Sequence, residues 1–297
     1  MRRALLAFAL LCSAAMAADP APAAPTPAPA LRWATGFSTP ESVLYDPSSD
    51  TYLVGNINGT PTDKDNNGYI TELAPDGSVR TARLVEGGKN GATLNAPKGF
   101  VIKSGVIYVA DIDTVRLFDR VTGAPKGEIP VPGATFLNDV ALSPSGEIYV
   151  SDSGLSPKFE PTGTDAIYRL KLGATPGVEA VVRSTELHGP NGLLVTADAL
   201  HVVGFGGDEL QTYDLKGQKT SFTHLPGGGL DGVVAVGGDL LVSSWGARAV
   251  YRGKPGGPFT AVISDVEAPA DIGYDTKRGR LLVPRFMASA VEIWEIK

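Results

Sequence analysis

The chain has 297 residues, 43% of them hydrophobic, with 26 basic against 32 acidic side chains and a formal net charge of −6. That balance argues against nucleic acid and anionic membranes as partners, and the length suits one large core. One cysteine, Cys12, leaves no disulfide framework.

Residues 1–17 read as a secretory signal peptide. Arg2 and Arg3 precede an apolar run over 4–11, and small residues end at Ala15-Met16-Ala17. The run is too short to span a bilayer, and Leu11 is too large to precede a lipid-modified Cys12. A periplasmic or secreted protein is expected, with no membrane association after cleavage. Loss of the two arginines takes the net charge from −6 to −8. Residues 18–30 alternate Pro with Ala and Thr. Such a segment buries no apolar surface, which predicts an extended tether.

From residue 31 to 297 helical periodicity is nearly absent. Short apolar or alternating runs bounded by Gly, Pro, Asp and Asn are dense, which predicts strands throughout. One pattern returns six times: a polar residue, a short apolar run, a tight turn and a more apolar run. Its openings are PESV at Glu41, PKGF at Lys98, LNDV at Asn138, PNGL at Asn191, LDGV at Asp231 and ADIG at Asp271. Lys98 and Asn138 are 40 residues apart, as are Asn191, Asp231 and Asp271 in succession. A repeat of about 40–45 residues built from four strands marks a propeller blade. The predicted fold is therefore all-β, a six-bladed β-propeller of four-stranded antiparallel blades. Expected inner and second strands cover 43–45 and 51–57, 100–102 and 106–110, 140–143 and 147–151, 193–196 and 199–204, 233–236 and 239–243, and 272–274 and 280–284. Third strands are expected at 69–74, 114–119, 166–172, 209–215, 249–252 and 290–296. Blade six then runs out of chain. Residues 31–35 are predicted to supply its outer strand and close the ring, removing two exposed sheet edges.

The first strand of each propeller blade lines the central channel, so the six repeat positions are expected to converge at one mouth. Polar residues before strands also serve as turn formers, but turn chemistry gives no reason for Glu41 and Lys98 at that register. Carboxylates and carboxamides facing inward make a hard-cation site, and calcium takes six to eight oxygens. No His or Cys occupies these positions, which disfavours zinc. Three other features face the same way. Asp63, Asp65 and Asn67 alternate as in the first half of a calcium loop, but Ala74 stands where the closing glutamate belongs. They read as a second metal loop or an Asx-rich hairpin. The insertion 153–165 reads as a lid. His188, Trp245 and Arg285 are candidate substrate-binding residues at this mouth, with Asp271 and Lys98. No G-x-S-x-G elbow is present.

The order Glu41, Asn138, Asn191, Asp231, together with the strings LNDVALSPSGEIYVSD and GPNGLLV, resembles the senescence marker protein (regucalcin)/gluconolactonase family of six-bladed propellers. Diisopropylfluorophosphatase and the paraoxonases are more distant relatives. The resemblance covers essentially the whole domain. It implies a divalent metal, calcium for preference, held by Glu41, Asn138, Asn191 and Asp231. It also implies hydrolysis of lactones or organophosphate esters, with Asp231 as nucleophile or general base. Lys98 departs from the pattern: it would stabilise developing negative charge, bind a substrate anion, or form an ion pair with Glu41 or Asp271. The function expected is a metal-dependent hydrolase of lactones or related esters. The alternative is a non-catalytic propeller that binds an anionic small molecule or a protein through its Lys98 side.

Overall fold

The computed structural model describes residues 31–33 and 36–296, and the leader and tether read in residues 1–30 lie outside them. Six antiparallel sheets of four strands each make up the described chain, and five of them are consecutive in sequence. Their inner strands are Pro40–Asp46, Pro97–Lys103, Leu137–Leu142, Pro190–Val195, Leu230–Val236 and Gly273–Asp275. Two three-residue turns, Thr185–Leu187 and Phe286–Ala288, are the helical segments among the described residues.

The packing explains the strand signals. Second strands such as Thr51–Asn56 and Ile148–Asp152 are buried along their whole length, and the others are half-buried at most at their ends. They have a strand on each edge and another blade over each face, so both faces take apolar residues. The core is correspondingly divided between adjacent blades. Tyr108, Ala110 and Val115 of the second blade pack on Val140, Ile148 and Val150 of the third. Fully burying one such side chain contributes about 1.5–3 kcal/mol. The fourth strands differ. Lys219–His224 and Pro125–Pro130 are almost entirely exposed and carry no buried face to pattern their sequence.

The sixth sheet runs in the order Leu31–Trp33, Ala290–Glu295, Arg280–Arg285, Gly273–Asp275. Leu31 lies opposite Ile293 and Trp33 opposite Val291. The N-terminal strand thus closes the ring in the place the sequence predicts. Across the seam, Tyr52 Oη donates to Asp275 Oδ2 at 2.5 Å, and Arg278 bridges Asp50 and Asp275 at 2.8 and 2.9 Å.

One irregularity recurs and builds the site. Each of the first five inner strands breaks register with its partner at one point: Pro40/Ser42, Pro97/Phe100, Leu137/Val140, Pro190/Leu193 and Leu230/Val233. Glu41, Lys98, Asn138, Asn191 and Asp231 all sit in these breaks. A bulge re-aims the extra residue, here toward the channel. The residue after it is glycine in three blades because the next inner strand crowds it. A Cβ on Gly192 would lie 2.2 Å from the Asp231 carbonyl oxygen, and one on Gly99 2.1 Å from Asp139 Oδ1.

Candidate functional site

Five of the six predicted positions come together. Glu41, Lys98, Asn138, Asn191 and Asp231 share a cavity of about 320 Å³ at one mouth of the channel. Asp271 is the exception. In blade six the bridge that precedes the bulge elsewhere is Pro269 opposite Arg285, so Ala270 takes the ring position and Asp271 the next one. Serine staples confirm the register. Ser42 Oγ donates to the Lys98 carbonyl and Ser151 Oγ to the Asn191 carbonyl, both at 2.7 Å. Ser243 Oγ donates to the Ala270 carbonyl at 2.9 Å. A shift of one residue turns a strand side chain to the other side. Asp271 accordingly lines a second cavity with Ser42 and Asp139, further along the channel.

The ring presents oxygen. Glu41 Oε2, Asn138 Oδ1, Asn191 Oδ1 and Asp231 Oδ1 are each buried without a hydrogen-bond partner. Leaving such atoms bare costs about 1–3 kcal/mol apiece and more for a charge, so the four together make a candidate cation site. The orientation of Asn138 is forced. Ser153 Oγ gives its proton to the Pro190 carbonyl at 2.7 Å and must accept from Asn138 Nδ2 at 3.1 Å. The Asn138 oxygen therefore faces the cavity. Among the described residues no three His, Cys, Asp or Glu side chains gather into a metal cluster. The donor set here is two carboxylates and two carboxamides, which fits a hard divalent cation.

Electrostatics agree with that fit. Burial raises the Asp231 pKa to about 8, with Asp139 adding to it. The Trp245 indole and the Asn191 carboxamide hold it down somewhat, without reaching the geometry of full hydrogen bonds. Burial also drives Glu41 well above the usual carboxylate range, and Asp231 pushes the same way while Lys98 opposes. Asp139, which the sequence reading passed over, accepts from the Val140 and Leu193 backbone N–H groups at 2.6 and 2.7 Å. Burial still lifts its pKa to about 6. Asp271 is raised well above the ordinary value, by burial first and then by Asp139, Glu41 and Asp231. It keeps some accessible surface because the channel beside it is open while protein surrounds it otherwise.

Lys98 is 1% exposed. Its ammonium donates to the Pro61 and Ala96 carbonyls at 3.0 and 3.2 Å and lies 4.4 Å from the Phe136 ring centre. Among the described residues it makes no ion pair with Glu41 or Asp271, contrary to one expectation. Burial lowers its pKa to about 8, with Glu41 and Asp111 opposing. Asp111 fixes the approach to Lys98 by accepting from the Asn95 and Ala96 backbone N–H groups. Asp152 does the same before Asn138, through Thr135 and Phe136.

The remaining candidates divide. Trp245 lines the cavity, and the 153–165 insertion brings Ser153, Leu155 and Phe159 to it. His188 is exposed and Arg285 is turned to the Glu267 carbonyl and Glu292, so neither is among the lining residues. Asp63 and Asp65 are exposed, and Asn67 Nδ2 spends itself on Asp65 at 2.6 Å. That is the pattern of an Asx-rich hairpin. Ser153 and Asp139, with the lining residues Ile57, Phe136, Phe205 and Phe286, were not singled out from the sequence.

No family model and no curated protein matches the chain, but solved structures do. A calcium-binding regucalcin from Agrobacterium tumefaciens aligns with TM-score 0.65 and 20% identity over 90% of this chain and 94% of its own. A gluconolactonase from Xanthomonas campestris aligns with TM-score 0.64 and 18% identity over 87% and 86%. A virginiamycin B lyase from Staphylococcus aureus aligns with TM-score 0.59 and 14% identity over 90% and 98%. At these identities the likeness is one of fold. The chain is a six-bladed β-propeller of the form found in regucalcin and gluconolactonase, with an oxygen-lined ring at one mouth of its channel.

Proposed function

We propose that this protein is a divalent-cation-dependent hydrolase of lactones or related esters, acting in the periplasm or outside the cell. The observation that carries the reading is the four buried, unpartnered oxygens of Glu41, Asn138, Asn191 and Asp231 on one cavity. These residues would hold the cation, and an all-oxygen donor set favours calcium. A cation bound there supplies Lewis acidity toward a carbonyl or phosphoryl oxygen. The fold it shares with a calcium-binding regucalcin and a gluconolactonase supports the same reading. The leader read in residues 1–17 supports the location.

The chain's own residues account for the rest. In ester hydrolysis the water oxygen bonds to the carbonyl carbon, the carbon–alkoxy bond breaks, and a proton from water passes to the leaving oxygen. Asp231 is the lining carboxylate placed to take that proton, in the ionised form that a bound cation would favour. The Lys98 ammonium, pinned by two carbonyls, offsets negative charge growing on the substrate. The anion-binding alternative has less support, because two of the three Lys98 N–H groups already serve Pro61 and Ala96.

The test is hydrolysis of a panel of lactones and aryl esters, with and without chelator, beside Asp231→Asn. The expected result is chelator-sensitive turnover that falls about 10²–10⁴-fold in the variant. Calcium-loaded protein that turns over no member overturns the proposal.

A further inference from the structure

The walls of the ring cavity carry information that the ring does not. The residue immediately after the second strand of each blade is, in order, Ile57, Ile112, Ser153, Phe205, Trp245 and Phe286. All but Ile112 line the cavity, and the single polar member, Ser153, is consumed in orienting Asn138. Phe136 and Phe159 extend the apolar wall on the third blade. The aromatic rings pack edge to face: Phe136 with Phe159 at 6.3 Å and Phe205 with Trp245 at 5.4 Å between centres. Phe286 lies 5.2 Å from Trp245 between ring centres, tilted by 52°.

Polar groups free to meet a ligand are few. Among the described lining residues, Lys98 keeps one N–H beyond its two carbonyl bonds, and Trp245 Nε1 has no hydrogen-bond partner. The ring oxygens are committed to the cation in the reading above. A polyhydroxylated ring would bury hydroxyls against phenyl and isoleucine side chains. Each unpaired hydroxyl costs about tenfold or more in affinity. An alkyl or aryl substituent on the same wall gains about fourfold for each methylene buried.

We infer that the substrate is an apolar lactone or ester, carrying alkyl or aryl groups and no further hydroxyls, and that sugar lactones are excluded. This rests on the hydrolase reading of the same site. The test separates the two by measuring binding apart from turnover. Calcium-loaded protein is titrated calorimetrically with non-hydrolysable lactams: a six-membered series with alkyl chains of one to six carbons, and gluconolactam. Affinity should rise about fourfold per methylene until the cavity is full, with gluconolactam at least about 100-fold weaker than the longest member. Phe205→Ser, a change at a side chain 41% exposed, should weaken the longest member about tenfold and leave bound calcium unchanged. Equal or tighter binding of gluconolactam, a flat chain-length series, or no lactam binding overturns the inference. The expected series without turnover of the matching lactones instead overturns hydrolysis and leaves the apolar ligand class standing.

Discussion

Stripped of divalent cations, the protein should lose stability as pH rises from 6.5 to 7.5. Asp231 has its pKa raised by burial to about 8, and Glu41 and Asp271 are raised well above their ordinary values. In the unfolded chain such groups titrate near 4. Through this window the folded state therefore binds more protons than the unfolded one, and by linkage stability falls as pH rises. One carboxyl held protonated only in the fold gives a slope of about 1.4 kcal/mol per pH unit. Asp231 alone thus removes about 1 kcal/mol over the window, and Glu41 and Asp271 steepen the fall. The window lies between two opposing groups, whose effects are small within it. Burial lowers His201, so protonation of the unfolded chain penalises folding below about pH 6.5. Lys98 is lowered to about 8, so near and above that value its contribution makes stability rise with pH. The assay is urea unfolding of chelator-treated protein at pH 6.5, 7.0 and 7.5, with the midpoint read at constant m. Added calcium, by favouring the ionised ring, should flatten or reverse the slope. A midpoint that stays level or rises without calcium would refute the reasoning.

Three further outcomes follow from the packing. Ser153→Ala frees Asn138 Nδ2 from its acceptor, and calorimetric calcium affinity should fall about 10–100-fold; unchanged affinity would show that Asn138 is held by other means. Gly192→Ala places a Cβ 2.2 Å from the Asp231 carbonyl oxygen and 3.0 Å from Gly232 Cα. Both are backbone atoms, so unfolding free energy should drop about 1–3 kcal/mol, and an unchanged urea midpoint would contradict the close approach. Removing residues 1–33 strips the partner of Ala290–Glu295 and bares a sheet edge. The truncated chain should melt lower and self-associate on size-exclusion chromatography, and an equally stable monomer would show that the closing strand is dispensable.

Much of this was legible in the sequence, and the exceptions have physical causes. Inner and second strands announce themselves because each is buried on a defined face. Fourth strands such as Lys219–His224 and Pro125–Pro130 lie exposed and leave no period to read. Glu41, Asn138, Asn191 and Asp231 were legible because a polar residue ahead of an apolar run repeats at blade spacing. Asp271 was placed one residue out, because ADIG imitates LDGV when aligned on the aspartate. Proline gives the correct register: Pro40, Pro97, Pro190 and Pro269 each precede the ring position. Aligned on them, Ala270 is the ring residue and Asp271 falls level with Asp139. Ser153 left no such signal, since its role depends on facing Asn138 and the Pro190 carbonyl at once. The positions of His188 and Arg285 depend on loop conformations that spacing does not determine.

The most direct test of the central claim is elemental analysis of residues 18–297, beside an Asp231→Ala/Asn191→Ala double variant shown by circular dichroism to keep its strands. About one divalent cation per wild-type chain is expected, calcium for preference, and none in the variant. No cation in either protein after calcium is restored would contradict it, and would leave the Lys98 ammonium as the only positive charge among the described residues lining that cavity to answer Glu41 and Asp231.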